Sequence, residues 1–388
     1  MIPNRLLVID DEPEVCDFIR EAASDWGFEA LSATRFEEIE FAFRAFKPAM
    51  ILLDLAMPDH DGVEVLRFLA RERCDAGIIL ASGFDERVLN ATVRLGVELG
   101  LRMVGTLRKP IGIADLEAAC RSTQGHRFEV ARSELERALQ KDELLLHWQP
   151  KVSLADGTIC GVEALARWQH PDRGLLMPND FIPCFEEMGL ITPMTRKVVA
   201  AALRQRAAWE RETLGFGVAV NLSARLLGDL ELPDELATLS RDAHVDPSSL
   251  TLEVTETAAM EEPVRVTDVL SRLRLKGFRV SLDDFGTGYS SLLALHRMPF
   301  NELKIDKSFV LELGRTTEST IIVKAVVGLA HNLGLEVCAE GVETRAAWDI
   351  LAALGCDVAQ GYLISRPVPA AEIPDWTQRW SQRRADPR

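Results

Sequence analysis

From residue 144 onward, eight short apolar runs (144–148, 159–166, 218–222, 250–254, 279–282, 302–305, 336–339 and 358–362) alternate with stretches of helical periodicity. Their spacing is roughly 25 to 35 residues, the length of one strand-plus-helix unit. Eight such units predict a (β/α)8 barrel. The first two runs are joined too tightly for a helix, so they read as a hairpin whose first strand is antiparallel to its neighbour.

In such a barrel, side chains at the carboxyl ends of the strands share one bowl. Here they are Glu163, Asn221, Glu253, Asp283 with Asp284, Lys304, Glu340 and Gln360. The adjacent aspartates repel each other unless a cation neutralises them. An all-oxygen donor set selects Mg²⁺ or Mn²⁺ over zinc or copper, and the seven histidines form no H-x-x-x-H spacing. Two such ions about 4 Å apart suit phosphodiester hydrolysis. A chain of net charge −16 would otherwise repel a phosphate ester.

The first third shows another pattern. Runs at 6–9, 50–53, 78–80 and 103–104, separated by helical stretches, predict a parallel sheet covered on both faces. Thr34 and Glu37 have capping-box spacing ahead of Phe36, Ile39 and Phe43, and residues 88–101 read as an unusually long helix. The strands end in Asp10-Asp11, Asp54, Ser82 and, by way of the fourth, Lys109. Strand ends in an open parallel sheet converge, so these groups predict a crevice for a hard cation and a phosphoryl group.

A length of 388 residues suits two domains. The polar interruption at 121–127 predicts a first domain over 1–122, a short linker over 123–127 and a second domain over 128–388 that begins with a helix near residue 128. The seven cysteines are scattered, with no C-x-x-C pair, which points to reduced thiols. Neither a leader core nor an uncharged run of about 20 residues is present, so the expected location is cytoplasmic, away from membranes. Without a Lys/Arg block, duplex nucleic acid is excluded as a partner.

Residues 1–122 resemble the receiver domain of two-component response regulators, a doubly wound, flavodoxin-like fold, including M-P-D-H-D-G after Asp54. The resemblance implies that Asp54 accepts a phosphoryl group from a sensor histidine kinase. It also implies that Asp10 and Asp11, with Asp54, hold Mg²⁺, that Ser82 senses the phosphoryl oxygen and that Lys109 pairs with it. Thr106 stands where receivers commonly carry an aromatic switch residue, so readout by another surface is expected.

Residues 128 to about 380 resemble an EAL-family phosphodiesterase, which hydrolyses cyclic di-GMP to linear pGpG. The motifs are E-A-L-A-R at Glu163, N-L-S at Asn221, E-V-T-E at Glu253, D-D-F-G-T-G-Y at Asp283, K-I-D at Lys304, A-E-G-V-E at Ala339 and Q-G-Y at Gln360. The resemblance implies two Mg²⁺ or Mn²⁺ ions. Glu163, Asn221, Glu253, Asp283 and Glu340 are their ligands, and Asp284 serves the second. Lys304 orients or helps activate water with Asp306 behind it, and Gln360, Glu340 and Glu163 complete the catalytic set.

Gln149, Leu165, Arg167 and Asp306 are the implied substrate contacts. Glu256 and the loop Phe285, Gly286, Thr287, Gly288, Tyr289, Ser290 and Ser291 form an implied regulatory element that senses assembly into a homodimer or higher oligomer. Trp148 and Phe185 depart from the usual residues and are expected to touch the pocket wall. The second functional reading is a catalytically silent cyclic di-GMP receptor. Against it, every metal ligand and the lysine are present.

Overall fold

The computed structural model describes residues 4–58, 60–83, 86–123, 130–286, 295 and 297–385. Two compact units divide the chain, at 1–129 and 130–388.

In the first unit, β1 (Asn4–Ile9), β2 (Phe28–Ala33), β3 (Met50–Asp54), β4 (Gly77–Ser82) and β5 (Arg102–Arg108) form a parallel sheet of order β2-β1-β3-β4-β5. Strand alternation explains why both faces are covered. Leu7, Ile9, Ile51, Leu53, Ile78 and Leu80 enter one core, while Leu6, Val8, Met50, Leu52, Ile79 and Ala81 enter the other. Each fully buried Leu or Ile stabilises by about 1.5–3 kcal/mol. The order reverses between β1 and β3, which opens a crevice beyond their carboxyl ends.

Three expectations for this unit are corrected. The helix after β4 is α4, Glu86–Glu98, no longer than α1 at Pro13–Asp25, because Gly100 (φ 78°) turns the chain left-handed before β5. Thr34 pairs with Glu38 rather than Glu37: the Thr34 amide and hydroxyl donate to Glu38 Oε2 at 3.1 and 3.2 Å, since α2 begins only at Phe36 (Phe36–Phe46). The linker expected over 123–127 does not begin at 123, since α5 (Ile113–Thr123) takes in that residue; 124–129 lie outside the described residues.

The second unit opens with α6, Arg132–Gln140, rather than near residue 128. Its barrel strands are β6 (Leu144–Ser153), β7 (Ile159–His170), β9 (Gly217–Asn221), β10 (Leu250–Thr255), β11 (Arg279–Phe285), β12 (Glu302–Ile305), β13 (Glu336–Ala339) and β14 (Val358–Gln360). Two short strands, β8 (Gly174–Leu176) and β15 (Val368–Pro369), add to β7 and β6. Pairing of β6 with both β7 and β14 closes an eight-stranded barrel, and β6 is antiparallel to each, as the hairpin reading expects. Among the described residues no helix is long and apolar enough to cross a membrane.

Candidate active site

The barrel strands deliver their polar ends to one point. Lys304 on β12 is fully buried, and its ammonium lies 3.0 Å from Glu253 Oε2, 3.2 Å from Asp283 Oδ1, 3.6 Å from Glu163 Oε2 and 2.5 Å from Glu340 Oε1. Those carboxylates come from β10, β11, β7 and the residue after β13, whose amide is tied to Ile305 O at 3.1 Å. One cation therefore faces four carboxyl groups. The excess negative charge and the purely oxygen donor set fit a hard divalent cation.

The charge imbalance shows in the protonation of the group. Burial pushes Glu340 up to about 8, with Asp283 and Glu163 adding to it against the pull of Lys304. Burial acts the same way on Glu253, but Lys151 and Lys304 together outweigh it and hold that carboxyl down at about 2. Both residues touch Lys304, yet they move in opposite directions. Glu253 has two lysines, whereas Glu340 shares one with three rivals.

Asp283, Asp284 and Glu340 each offer an oxygen within 4.8 Å of the others. The Asp284 amide donates to Asp283 Oδ1 at 2.9 Å, and Asp284 holds a left-handed backbone (φ 55°), rare for a residue other than glycine. Burial, then Asp306, raises its pKa. Asp306 itself caps the helix Lys307–Leu311 through the Ser308 amide at 2.9 Å.

On the opposite wall, Gln360 Nε2 donates to Glu163 Oε2 at 2.6 Å and Gln149 Oε1 at 2.9 Å, and Gln149 in turn donates to Ser365 O at 3.0 Å. Asn221 Nδ2 donates to Glu163 Oε1 at 2.9 Å. Glu163, Leu165 and Arg167 alternate along β7 and so share its face. Arg167 is 6% exposed, and its Nε has no protein partner. A buried, unsatisfied guanidinium N–H favours an anionic ligand.

Of the expected loop, Glu256, Phe285 and Gly286 are described. The Gly286 amide donates to Glu256 Oε2 at 3.3 Å, and Glu256 is buried. Thr287, Gly288, Tyr289, Ser290 and Ser291 lie outside the described residues.

Trp148 and Phe185 correct the sequence reading. Neighbouring residues on a strand face opposite sides, so with Gln149 turned inward, Trp148 packs edge-on against Trp209 of the helix Ile191–Arg211. Phe185 packs edge-on against Trp168 and Phe181. Both fill apolar contacts outside the mouth. What sequence reasoning missed is Lys151, buried on β6 two residues after Gln149, and Glu302 two residues before Lys304. The two-residue spacing was the available signal.

In the first unit, Asp10, Asp11 and Asp54 bring carboxylate oxygens within 4.8 Å of one another. Lys109 Nζ lies 2.7 Å from Asp54 Oδ2 and 2.8 Å from Asp10 Oδ2. Burial lowers the lysine pKa, but those two carboxylates more than reverse it. Ser82 is buried at the end of β4, where its carbonyl accepts from the Lys109 amide at 3.0 Å. Three carboxylates against one lysine again fit a divalent cation. Thr106 on β5 is exposed.

Comparisons with known proteins agree with this geometry. The family model for the EAL domain matches residues 132–367, and that for the response regulator receiver domain matches residues 6–121. The cyclic di-GMP phosphodiesterase RocR of Pseudomonas aeruginosa is 33% identical over 335 residues, which cover 84% of this chain and 86% of RocR. The bifunctional diguanylate cyclase/cyclic di-GMP phosphodiesterase MucR of the same organism is 43% identical over 241 residues; the match spans 62% of this chain but only 35% of MucR. Among solved structures, the PaMucR phosphodiesterase in complex with c-di-GMP superposes with a TM-score of 0.60 at 42% identity, covering 62% of this chain and 98% of that one.

Proposed function

Because the chain belongs to the EAL domain family and carries a response regulator receiver domain ahead of its barrel, we propose that it hydrolyses cyclic di-GMP to linear pGpG under control of phosphorylation at Asp54. The observation that carries this reading is the convergence of four carboxylates on Lys304 beside the Asp283, Asp284 and Glu340 cluster. The names of RocR and MucR, and the ligand in the PaMucR structure, support the choice of substrate.

Glu163, Asn221, Glu253, Asp283 and Glu340 would hold one Mg²⁺ or Mn²⁺, and Asp284 would serve a second. When bound, these ions supply water activation and offset the charge of the phosphodiester in the transition state. The product carries a 5′-phosphate, so water adds to phosphorus, the P–O3′ bond breaks and O3′ takes a proton.

The chain's own groups orient those partners. Lys304 aligns the attacking water and neutralises carboxylates that would otherwise repel it. Gln360, held by Gln149, fixes Glu163 on the water side. Arg167 donates its free N–H to a phosphate oxygen. Leu165 and Asp306 would contact the dinucleotide, and Glu256 steadies the turn at Gly286, two residues after Asp284.

In the receiver, Asp54 takes a phosphoryl group from a sensor histidine kinase, with Mg²⁺ at Asp10 and Asp11 and with Lys109 and Ser82 on the phosphoryl oxygens. None of the seven cysteines forms a disulfide, which suits a reducing cytoplasm. A homodimer or higher homo-oligomer is the expected assembly, with Glu256 and residues 285–291 its sensor. The test is incubation with cyclic di-GMP and Mg²⁺ or Mn²⁺, with and without acetyl phosphate, while pGpG is followed.

A further inference from the structure

Interior layers of a (β/α)8 barrel are usually filled by branched apolar side chains. Beneath this mouth the layer is ionic. Lys151 on β6 donates to Glu253 Oε1 at 2.7 Å and lies 3.5 Å from Glu302 Oε1, which also accepts from the Ser281 hydroxyl at 2.7 Å. All four residues are buried. An ion pair in such a place costs more desolvation than apolar residues of the same volume would, so stability alone does not account for it.

Strand alternation links this layer to the mouth. Gln149 and Lys151 share one face of β6, Ser281 and Asp283 one face of β11, and Glu302 and Lys304 one face of β12. Each strand thus contributes one residue to the mouth and one to the layer below. Glu253 joins the two layers, since Oε1 accepts from Lys151 and Oε2 lies 3.0 Å from Lys304.

We propose that Lys151 is a positioning residue for the metal-binding group: by holding Oε1 of Glu253 from below, it orients that carboxylate so that Oε2 faces the mouth. This rests on the reading of the barrel as a metal-dependent phosphodiesterase. Lys151 touches neither substrate nor reacting atoms and acts through Glu253. Partners of this kind, which hold a ligand side chain from behind, change metal affinity about 10- to 100-fold when removed.

The test is calorimetric titration of Mn²⁺ into the full chain, with thermal unfolding of each sample recorded alongside. Every sample carries Asp11→Asn, which weakens ion uptake by the receiver. Lys151→Met is expected to weaken Mn²⁺ binding at the barrel about 10- to 100-fold. The double variant Lys151→Met/Glu302→Gln is expected to fold and to show the same loss, because removing the charge on Glu302 does not return a partner to Glu253.

Wild-type affinity in the double variant would overturn the proposal, since Lys151 would then serve only to neutralise Glu302. Unchanged affinity in Lys151→Met would overturn it too, as would failure of both variants to fold, which would make Lys151 a structural ion. If the protein with Lys151 intact takes up no Mn²⁺ at the barrel, the metal-site reading itself falls, which is a different result from tight binding in all samples.

Discussion

Lys304 on β12 and Glu340, just past the end of the adjacent strand β13, meet at 2.5 Å between Nζ and Oε1, and the same ammonium is the only cation within reach of Glu340 among the described residues. The two therefore share one positive charge with three further carboxylates. Lys304→Ala should leave metal and cyclic di-GMP binding within a few-fold of wild type but lower kcat by about 10²–10⁴, the usual contribution of a group that manages the proton or orients the water. Steady-state kinetics with direct Mn²⁺ titration checks it. Unchanged kcat would remove Lys304 from the mechanism.

The raised Glu340 carboxyl gives a stability prediction for the metal-free protein. Its pKa is about 8 folded against an ordinary 4.5, so the folded state binds the extra proton between those values. Stability from this group is full below about pH 4.5 and is lost as pH rises through about 8. In chelator, the unfolding midpoint should fall across that window, and Glu340→Gln should flatten the fall. Parallel curves for the two proteins would contradict the assignment.

Arg167, buried with an unpaired Nε, should matter to binding more than to turnover. A charged hydrogen bond to a phosphate oxygen contributes about 1.5–3 kcal/mol, so Arg167→Ala should raise KM roughly 10- to 100-fold with a smaller change in kcat. Michaelis–Menten curves over a wide substrate range separate the two. A loss confined to kcat would move Arg167 into the chemical step.

Asp54 is tied to Lys109 at 2.7 Å in a crevice suited to a divalent cation. Asp54→Asn should change pGpG formation only when acetyl phosphate is present. Equal rates for wild type and variant in both conditions would mean that the receiver does not regulate through this residue.

Much of this architecture was legible because alternation and strand-end chemistry are local properties. The β1 pattern Leu6-Leu7-Val8-Ile9 declares a strand buried on both faces, and the hairpin at 144–166 follows from a connection too short for a helix. Where the sequence reading failed, a tertiary contact or a single turn decided the outcome. Gly100 ends a helix that periodicity alone would extend, and Thr34 takes Glu38 because the helix begins later than the capping pattern suggests. Trp148, expected at the pocket wall as a departure from the family's usual residue, lies next to the inward Gln149 and so faces the opposite way. Lys151 escaped notice because a lysine within a strand ordinarily faces solvent, and only the closed barrel places Glu253 opposite it.

The central claim is metal-dependent hydrolysis at the group around Lys304. It is tested most directly by incubating the full chain with cyclic di-GMP and resolving the products by chromatography, first with Mn²⁺, then with chelator, then with Mn²⁺ restored. The account predicts linear pGpG in the first and third samples and intact substrate in the second. Tight binding of cyclic di-GMP with no pGpG in any sample would contradict it and make the barrel a receptor.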